Sequence, residues 1–399
     1  MPHSLTERPW ALIALLASLQ AFAPLSIDMY LPALTTIADE FATSTSEVQR
    51  TISMFLFGLF IGMLIYGPLS DCYGRRRLLI GGICLYVLAT VACLLTADAN
   101  QLMIARLFQA LGGAAASVLG RALVRDLFPP LEAPRILSWM HLVTMVATLI
   151  APLVGSLLLT VVGWRSIFAL LVLFSSVVLI LVVLRIPNTG RNAEHTPWRV
   201  FRTYGYLLRQ PVAVGYLLCQ SLTFAGLFAY ITGSPFVFMD VFGASSSHYA
   251  LLFSSNVAGI IVCVLANAYW VNRQGVQRML RMATLGTSGA GLTLVIAALM
   301  APDAFWLIYA ACFVHIATTG VIGVNCTGRL LQLYPKTAGA ASGLGVSLQF
   351  GMGAVMSALI TQMHNGTPLP LMLCVGIPGL MAFLALRIAL RHDTQAKKI

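Results

Sequence analysis

Gly67-Pro68-Leu69-Ser70-Asp71-Cys72-Tyr73-Gly74-Arg75-Arg76-Arg77 is a short polar stretch between two long apolar runs, at about 47–69 and 78–97. Each run is long enough to cross a bilayer as a helix, which takes about 20 mostly apolar residues. Any cytoplasmic loop can carry three arginines, but that does not explain the fixed spacing of the two glycines and the aspartate. Glycine permits a tight reversal between helices, and an aspartate can meet a cation or a helix amino terminus. The stretch therefore predicts a specific turn between two membrane-spanning helices.

Apolar runs of this kind continue along the whole chain. Its 399 residues are 59% hydrophobic and 9% charged, whereas a soluble globular protein carries about 25% charged residues. The sequence therefore predicts an all-α integral membrane protein. The apolar runs predict twelve transmembrane helices, at roughly 10–34, 47–69, 78–97, 102–124, 135–160, 165–186, 212–236, 247–271, 280–300, 304–328, 339–363 and 368–390.

The longest polar interruption divides these spans into six and six. We predict an N-terminal half at 1–186, a central cytoplasmic loop at 187–211, and a C-terminal half with a short basic tail at 212–399. The spacing Asp71-x-x-Gly74 recurs as Asn272-x-x-Gly275, about two hundred residues later. Two repeated six-helix halves around a central site are typical of secondary transporters.

The basic residues predict how the chain lies in the membrane. The net charge is +11, and with a cytoplasmic amino terminus 21 of the 24 Lys and Arg residues fall on the cytoplasmic side. Arg50, Arg106 and Arg165 are the exceptions. This bias is the positive-inside pattern, so we expect both termini to be cytoplasmic and we expect no nucleic-acid partner.

One alternative concerns the amino terminus. An apolar run followed by Ala21-Phe22-Ala23 loosely resembles a signal peptide with its cleavage site. Cleavage there would leave an odd number of spans and would remove the helix that precedes Asp28.

Asp28, in Leu25-Ser26-Ile27-Asp28-Met29-Tyr30-Leu31-Pro32, is the one acidic residue of thirteen that the pattern places well inside a span. A charged side chain there costs about 2.5–3.5 kcal/mol on insertion scales, so it is retained mainly where it faces a cavity or a partner. Arg106, in the outer half of the antiparallel fourth span, is the candidate partner, and a snorkelling Arg106 is the alternative. We therefore predict a proton and substrate site at Asp28, Tyr30, Arg106 and Gln109.

The sequence of the second half says less about which residues form a site. A helix that is buried in a bundle is apolar all round, so periodicity does not show which of its polar residues face a cavity. His315 would equally be packed and hydrogen-bonded without a role in transport. Gln220, Tyr230 and His315 are the possible cavity-lining residues, and Asn256 and Asn325 are further polar residues within spans.

Cofactor and metal chemistry are not indicated. The eight cysteines are scattered singly without metal-ligand spacing, and the phosphate-loop pattern G-x-x-x-x-G-K-[ST] does not occur. We therefore expect neither a metal nor a cofactor.

The turn after the second span resembles the loop motif G-x-L-x-D-x-x-G-R-[RK] of the major facilitator superfamily. The matching residues are Gly67, Leu69, Asp71, Gly74, Arg75 and Arg76. This resemblance implies the major facilitator fold, a monomer, and a loop that locks the cytoplasmic side against the eleventh helix. Asp126 is placed to join Asp71 and Arg75 in this lock.

Two further stretches are similar to motifs of this superfamily. Arg106-Leu-Phe-Gln109-Ala110-Leu-Gly112 resembles R-x-x-Q-G-x-G, with alanine where glycine is usual. Ala151, Pro152 and Gly155 fall on the antiporter motif G-x8-G-x3-G-P-x2-G-G, with small residues replacing several glycines. They imply antiport and a close contact between the halves, although glycine and proline are common in any membrane helix.

Asp28-Met29-Tyr30-Leu31-Pro32-Ala33 and Gly233-Ser234-Pro235-Phe236 narrow the resemblance. They are similar to the bicyclomycin and chloramphenicol resistance branch of twelve-helix drug:proton antiporters. We therefore expect proton-coupled efflux of small amphipathic drugs across the bacterial inner membrane.

A metabolite transporter, a membrane enzyme and a channel are the alternatives to drug efflux. A transporter dedicated to one physiological metabolite would use the same residues. A membrane enzyme should show convergent carboxylates, histidine or a nucleophile, and a channel should show a ring of pore charges. The sequence shows neither pattern.

Overall fold

The computed structural model describes residues 9–129, 132–187, 197–363 and 365–393. Twelve of its helical segments are long and apolar enough to cross a membrane. All regular elements in the described residues are helices. The predicted all-α membrane fold with twelve spans is therefore confirmed.

The first span is not one continuous helix. It consists of α1 (Pro9–Ser18), α2 (Phe22–Asp28) and α3 (Leu34–Glu40), joined by the 3-10 turns Leu19–Ala21 and Leu31–Ala33. Pro32 in the second turn has no backbone N–H, so it interrupts the helical hydrogen bonding. The break places Asp28 at a helix end inside the span.

The remaining helices follow in chain order. α9 is a short helix between the two halves, and α10 continues as one π-helical turn over Phe236–Val241. The helices are α4 (Thr45–Tyr73), α5 (Arg75–Leu94), α6 (Ala99–Leu127), α7 (Ala133–Val161), α8 (Arg165–Arg185), α9 (Pro197–Leu207), α10 (Pro211–Pro235), α11 (Ser246–Gln274), α12 (Val276–Met300), α13 (Phe305–Leu333), α14 (Ala338–Gln362) and α15 (Leu369–His392).

We call the side that carries the loops at 41–44, 95–98 and 162–164 the outer side, after the orientation predicted from the basic residues, and the opposite side the inner side. The two halves repeat the same arrangement of helices. α4 and α11 each have 29 residues, and each ends at a glycine with positive φ, Gly74 at 89° and Gly275 at 79°. Glycine adopts such angles without steric cost because it has no Cβ. The repeated sequence pattern therefore corresponds to two matching turns.

α4 extends further than its apolar run suggests. The helix continues to Tyr73, so Gly67 and Pro68 lie inside it rather than in the turn. The expectation that Gly67 helps to reverse the chain is therefore wrong, because Gly74 alone makes the reversal.

Hydrogen bonds join the two halves at the outer side and near mid-height. Ser46 Oγ of α4 donates to the Thr361 carbonyl of α14 at 2.8 Å, and the hydroxyls of Ser53 and Ser357 are 2.7 Å apart in the same pair of helices. Ser254 of α11 donates to the Leu149 carbonyl of α7 at 2.9 Å. The outer side is therefore closed between the halves.

At the inner side, α9 lies across the boundary between the halves. Tyr204 and Leu207 of α9 are buried in an apolar cluster that includes Leu344 of α14, and Leu64 of α4 packs against the same cluster. The segment that was predicted as a loop at 187–211 thus contains a helix.

The turn glycines lead to a stability prediction. Gly275 has open space around its Cα, so Gly275→Ala meets no steric clash and its cost is the positive φ alone. With ψ at 150° this is an extended positive-φ conformation that is essentially restricted to glycine, and an L-residue in it costs about 1–3 kcal/mol. We expect a lower thermal unfolding midpoint for the purified variant in detergent.

Gly289→Ala is the matched control, because Gly289 lies within α12 and also has open space around it. Alanine favours the helix interior by about 0.5–1 kcal/mol over glycine. Equal midpoints for the two variants would contradict the assigned turn geometry.

Candidate functional site

Asp28 lies at the boundary between the two halves. Its side chain is 3% exposed at the end of α2. Thr148 of α7 lies near its carboxyl group, and Tyr249 of α11 lies on the side of the second half. The first span packs against α7 and also touches α11, so the carboxyl group lies where the two halves meet.

Arg106 lies in a cage of aromatic rings. Its guanidinium carbon is 4.2 Å from the ring centre of Phe55, 4.7 Å from that of Tyr30 and 5.8 Å from that of Phe168. Ring faces attract a cation through their quadrupole. The side chain is fully buried, so these contacts replace water as its surroundings.

Hydrogen bonds extend this cage into the neighbouring helices. Arg106 Nη1 donates to Gln109 Oε1 at 2.8 Å, and Gln109 Nε2 donates to the Thr90 hydroxyl of α5 at 2.9 Å. The Tyr30 hydroxyl is 3.0 Å from the Thr51 hydroxyl. The structure therefore brings Tyr30, Arg106 and Gln109 together.

The predicted partnership between Asp28 and Arg106 is wrong for this conformation. No ion pair joins the two side chains, both of which lie in the described part of the chain. Residues two apart on a helix point to nearly opposite sides. Asp28 faces α7, whereas Tyr30, two residues later, faces Arg106. The sequence pattern predicts that both charges lie in the outer half of the membrane, but it does not show how the first span is rotated about its own axis.

The lock residues join the inner ends of α5 and α6. Arg75 Nη1 is 2.6 Å from Asp126 Oδ2 and donates to the Ala122 carbonyl at 2.5 Å. The side chain of Asp71 lies outside the described part of the structure. Arg75 and Asp126 thus form an ion pair at the place where the sequence motif predicts the lock.

The antiporter motif forms a close contact, but not the expected one. A Cβ added at Gly155 would lie 2.1 Å from the Met29 carbonyl oxygen. Gly155 of α7 therefore presses against the first span in its own half, beside buried Ala151 and Pro152. Contact with the other half involves different residues of α7, such as Leu149 and Ser156, whose hydroxyl is 3.4 Å from that of Ser247.

The three candidates of the second half are buried and hydrogen-bonded. Gln220 Oε1 accepts from Thr327 at 3.1 Å, and the Tyr230 hydroxyl accepts from Asn256 at 2.8 Å. His315 Nε2 is 3.2 Å from the Thr223 carbonyl. Their role as cavity lining stays a prediction.

His315 fills its site completely. A Cβ added at Gly226 would lie 2.4 Å from Nε2 of its ring, and one added at Gly379 would lie 3.0 Å from Nδ1. The two glycines therefore make room for the ring between α10, α13 and α15.

Thr148 and Tyr249 are site residues that sequence reasoning missed. Hydroxyl side chains are frequent in these spans, so neither residue stands out by composition. Their proximity to Asp28 depends on how α7 and α11 rotate against the first span, which no single-helix pattern shows. The only sequence signal for these two residues is that they are polar and lie on spans that could face the first span.

A large groove lies elsewhere, between α5 and α6, and has a volume of about 560 Å³. Several of its lining residues are exposed on the outside of the helix bundle, including Leu95, Ile104 and Phe108. It has no ionisable lining residue. Its full lining is Leu85, Ala89, Ala92, Leu95, Thr96, Gln101, Ile104, Ala105 and Phe108. We therefore assign the candidate site to the buried charges and not to this groove.

Comparison with known proteins identifies the family. The family model described as Major Facilitator Superfamily matches residues 16–358. The chain belongs to the Major Facilitator Superfamily. It is thus a multi-pass membrane protein of a transporter family, as its motifs indicated.

The relatives of this superfamily member include drug-resistance proteins. It is 29% identical over 376 residues to the bicyclomycin resistance protein homolog of Haemophilus influenzae, covering 94% of each chain. It is 26% identical over 398 residues to multidrug resistance protein D of Escherichia coli, covering 98% of this chain and 99% of that one. The predicted resemblance to the bicyclomycin resistance branch is confirmed.

Solved structures share the fold. A point mutant of the nucleoside transporter NupG superposes with a TM-score of 0.72 at 11% identity, over 96% of this chain and 99% of that chain. At this identity the likeness concerns the major facilitator fold alone.

The tight contact at Gly155 leads to a second prediction. Because the added Cβ of Gly155→Ala would overlap the Met29 backbone, α7 and the first span must move apart. Overpacking of this kind costs about 1–3 kcal/mol. We expect a lower unfolding midpoint in detergent, measured beside Gly81→Ala, whose site in α5 has open space. A Gly155→Ala variant as stable as Gly81→Ala would show that this contact is looser than described.

Proposed function

We propose that this superfamily member exports small amphipathic drugs across the bacterial inner membrane in exchange for protons, by alternating access and as a monomer. The observation that carries the proposal is Asp28, a buried carboxyl group between the halves. A polar ionisable group in a membrane interior is expensive and is retained for function. It lies near Thr148 of the first half and Tyr249 of the second, so a movement of the halves would change its surroundings.

In the proposed cycle, Asp28 binds a proton and a substrate in turn. An enclosed carboxyl group without a cation beside it is more stable with its proton than without it. When the inner side opens, water and a substrate reach the group and the proton leaves. When the outer side opens, the substrate leaves and a proton from outside replaces it.

The charge of Arg106 in its aromatic cage would influence the exchange of proton and substrate at Asp28 without direct contact. The cage fixes this charge beside Tyr30 and Gln109, which are the other predicted lining residues. Since Tyr30 is only two residues from Asp28, a shift of the first span moves the carboxyl group relative to the guanidinium. We propose that this movement changes how readily Asp28 holds its proton.

The lock would control the inner side. The Arg75–Asp126 ion pair ties α5 to α6 beside the turn at Gly74, and Gly67 and Asp71 lie in the last turns of α4. We propose that this network sets the rate at which the inner side opens. The lock would then affect turnover more than substrate affinity.

The names of the relatives support drugs as the substrates. One relative is named for bicyclomycin resistance and another for multidrug resistance. The direct test is a growth-inhibition panel of unrelated antibiotics and dyes in a pump-deficient bacterial host that expresses this chain. Resistance to several compounds supports drug export, whereas resistance to none would favour a transporter dedicated to one metabolite.

The role of Asp28 can be tested by Asp28→Asn. The amide cannot exchange a proton, so we expect proton-driven accumulation in proteoliposomes to fall to the background of empty vesicles. Exchange of substrate without a gradient needs no net proton movement, so we expect it to persist with a lower substrate affinity. Asp303→Asn is the control, since Asp303 is exposed in an outer loop. Undiminished accumulation by Asp28→Asn would remove the carboxyl group from the mechanism.

Closure of the outer side can be tested by cross-linking Ser53→Cys to Ser357→Cys, after the eight native cysteines have been replaced. Hydroxyls 2.7 Å apart bring the two Cβ atoms close enough for a disulfide. We expect oxidation to stop transport and reduction to restore it, because the outer side must open in each cycle. Each single-cysteine variant should be insensitive to oxidation. Full transport by the cross-linked protein would show that this side does not open.

A further inference from the structure

The repeat relates Arg106 to a position in the second half where the cation is missing. α6 and α13 each have 29 residues, as do α4 and α11. Counted from the first residue of each helix, Cys312 stands where the first half has Arg106. By the same count, Asn256 stands where the first half has Phe55. The second half therefore repeats this region of the bundle without its guanidinium.

Aromatic rings surround this position in the second half as well. The Tyr230 ring stacks against that of Phe253 in α11, with ring centres 6.2 Å apart. The ring centre of Phe238, in the π-helical turn that continues α10, is also 6.2 Å from that of Tyr230. Cys312 is close enough to Tyr230 to interact electrostatically. In the first half comparable rings hold the protein's own cation, whereas the equivalent position here is Cys312, which carries no guanidinium.

Asn256 presents an acceptor without a donor in this aromatic region. Its Nδ2 donates to the Leu252 carbonyl at 3.0 Å and to the Tyr230 hydroxyl at 2.8 Å. A carbonyl oxygen only accepts, so the amide group facing Leu252 must be Nδ2, and the orientation of the side chain is fixed. Asn256 is 1% exposed, and its Oδ1 has no hydrogen-bond partner in the described part of the chain.

A buried acceptor without a donor is costly, so a ligand that brings a donor to it would be favoured. Tyr249 lies near both this region and Asp28: its ring centre is 6.1 Å from that of Phe253, and its hydroxyl is 3.1 Å from that of Ser234. The Asp28 carboxyl group, the aromatic rings around Tyr230 and the Asn256 carbonyl oxygen thus follow one another from the boundary into the second half. All three groups favour a cation that carries N–H donors.

We propose that Tyr230, Asn256 and the rings around them form the second-half part of the substrate site, and that Asn256 Oδ1 accepts a hydrogen bond from an N–H group of an amphipathic organic cation. This inference rests on the proposed drug export. The bound cation takes the place that Arg106 occupies in the first half. Asn256 is then a specificity-determining residue that distinguishes N–H cations from fully alkylated ones.

Two fluorescent dyes form a matched pair of probes. Rhodamine 123 carries free N–H groups on a cationic xanthene ring, and tetramethylrhodamine methyl ester is the same ring with those nitrogens fully methylated. We measure binding of each dye to the purified full-length protein by fluorescence anisotropy. One additional hydrogen bond to a buried group is expected to favour rhodamine 123 about tenfold.

Asn256→Leu removes the acceptor while keeping a side chain of similar size. We expect rhodamine 123 to bind this variant about tenfold more weakly and tetramethylrhodamine methyl ester to bind within about twofold of the wild type. Asn256→Asp keeps a carbonyl acceptor and should retain the preference for the N–H dye. Ser255→Ala, at the neighbouring position on α11, is the control and should change neither affinity.

The outcomes separate this inference from the proposed function. If Asn256→Leu binds the two dyes with the wild-type ratio, or weakens both equally, Oδ1 is satisfied by water only and the inference is overturned while drug binding stands. If Asn256→Leu does not fold, loss of the preference in Asn256→Asp overturns it instead. If the wild type binds neither dye, the inference about organic cations is overturned, whereas drug export is decided separately by the growth-inhibition panel.

Discussion

The high cost of a charge inside the bilayer organises this molecule. Hydrocarbon offers no hydrogen-bonding partner, so backbone groups are satisfied within helices and charged side chains need special surroundings. Arg106 finds them in three aromatic rings and one glutamine. The described residues give Arg106 one hydrogen bond and leave its Nε and Nη2 without a partner, so the rings supply most of its surroundings. Asp28 lies near Thr148 and Tyr249 where the two halves meet. The fold thus encloses the arginine within one half and leaves the carboxyl group at the boundary.

Much of the fold could be predicted from the sequence because span length and polarity are set by the thickness of the bilayer. All twelve spans and the matching turns at Gly74 and Gly275 follow from one-dimensional patterns. The break inside the first span was harder to predict from the sequence. Pro32 indicates an interruption, but it does not show that the helix ends at Asp28, four residues earlier.

The site was harder to predict because it depends on the rotation of each helix about its own axis. A span that is buried on several sides shows no polar face from which rotation could be read. Asp28 and Arg106 were therefore expected to meet, although they point toward different neighbours. Gly155 is a similar case, since a small residue predicts that a helix comes close but does not identify which helix it is. Thr148 and Tyr249 become site residues only through such rotations.

The repeat explains why the two halves can have different roles on one scaffold. Each half surrounds a tyrosine of its first span with aromatic neighbours, and the tyrosine is hydrogen-bonded to the following span, as Tyr30 to Thr51 and Tyr230 to Asn256. The first half completes its cage with an internal cation, the guanidinium of Arg106. The second half has a cysteine at the equivalent position and an acceptor without a donor among the described residues. A symmetric bundle in which both cages held an arginine would repel a cation from both halves. In the proposed exchange, this arrangement would repel a cationic substrate from the first half only, so that substrate and proton would compete at Asp28 between the two cages.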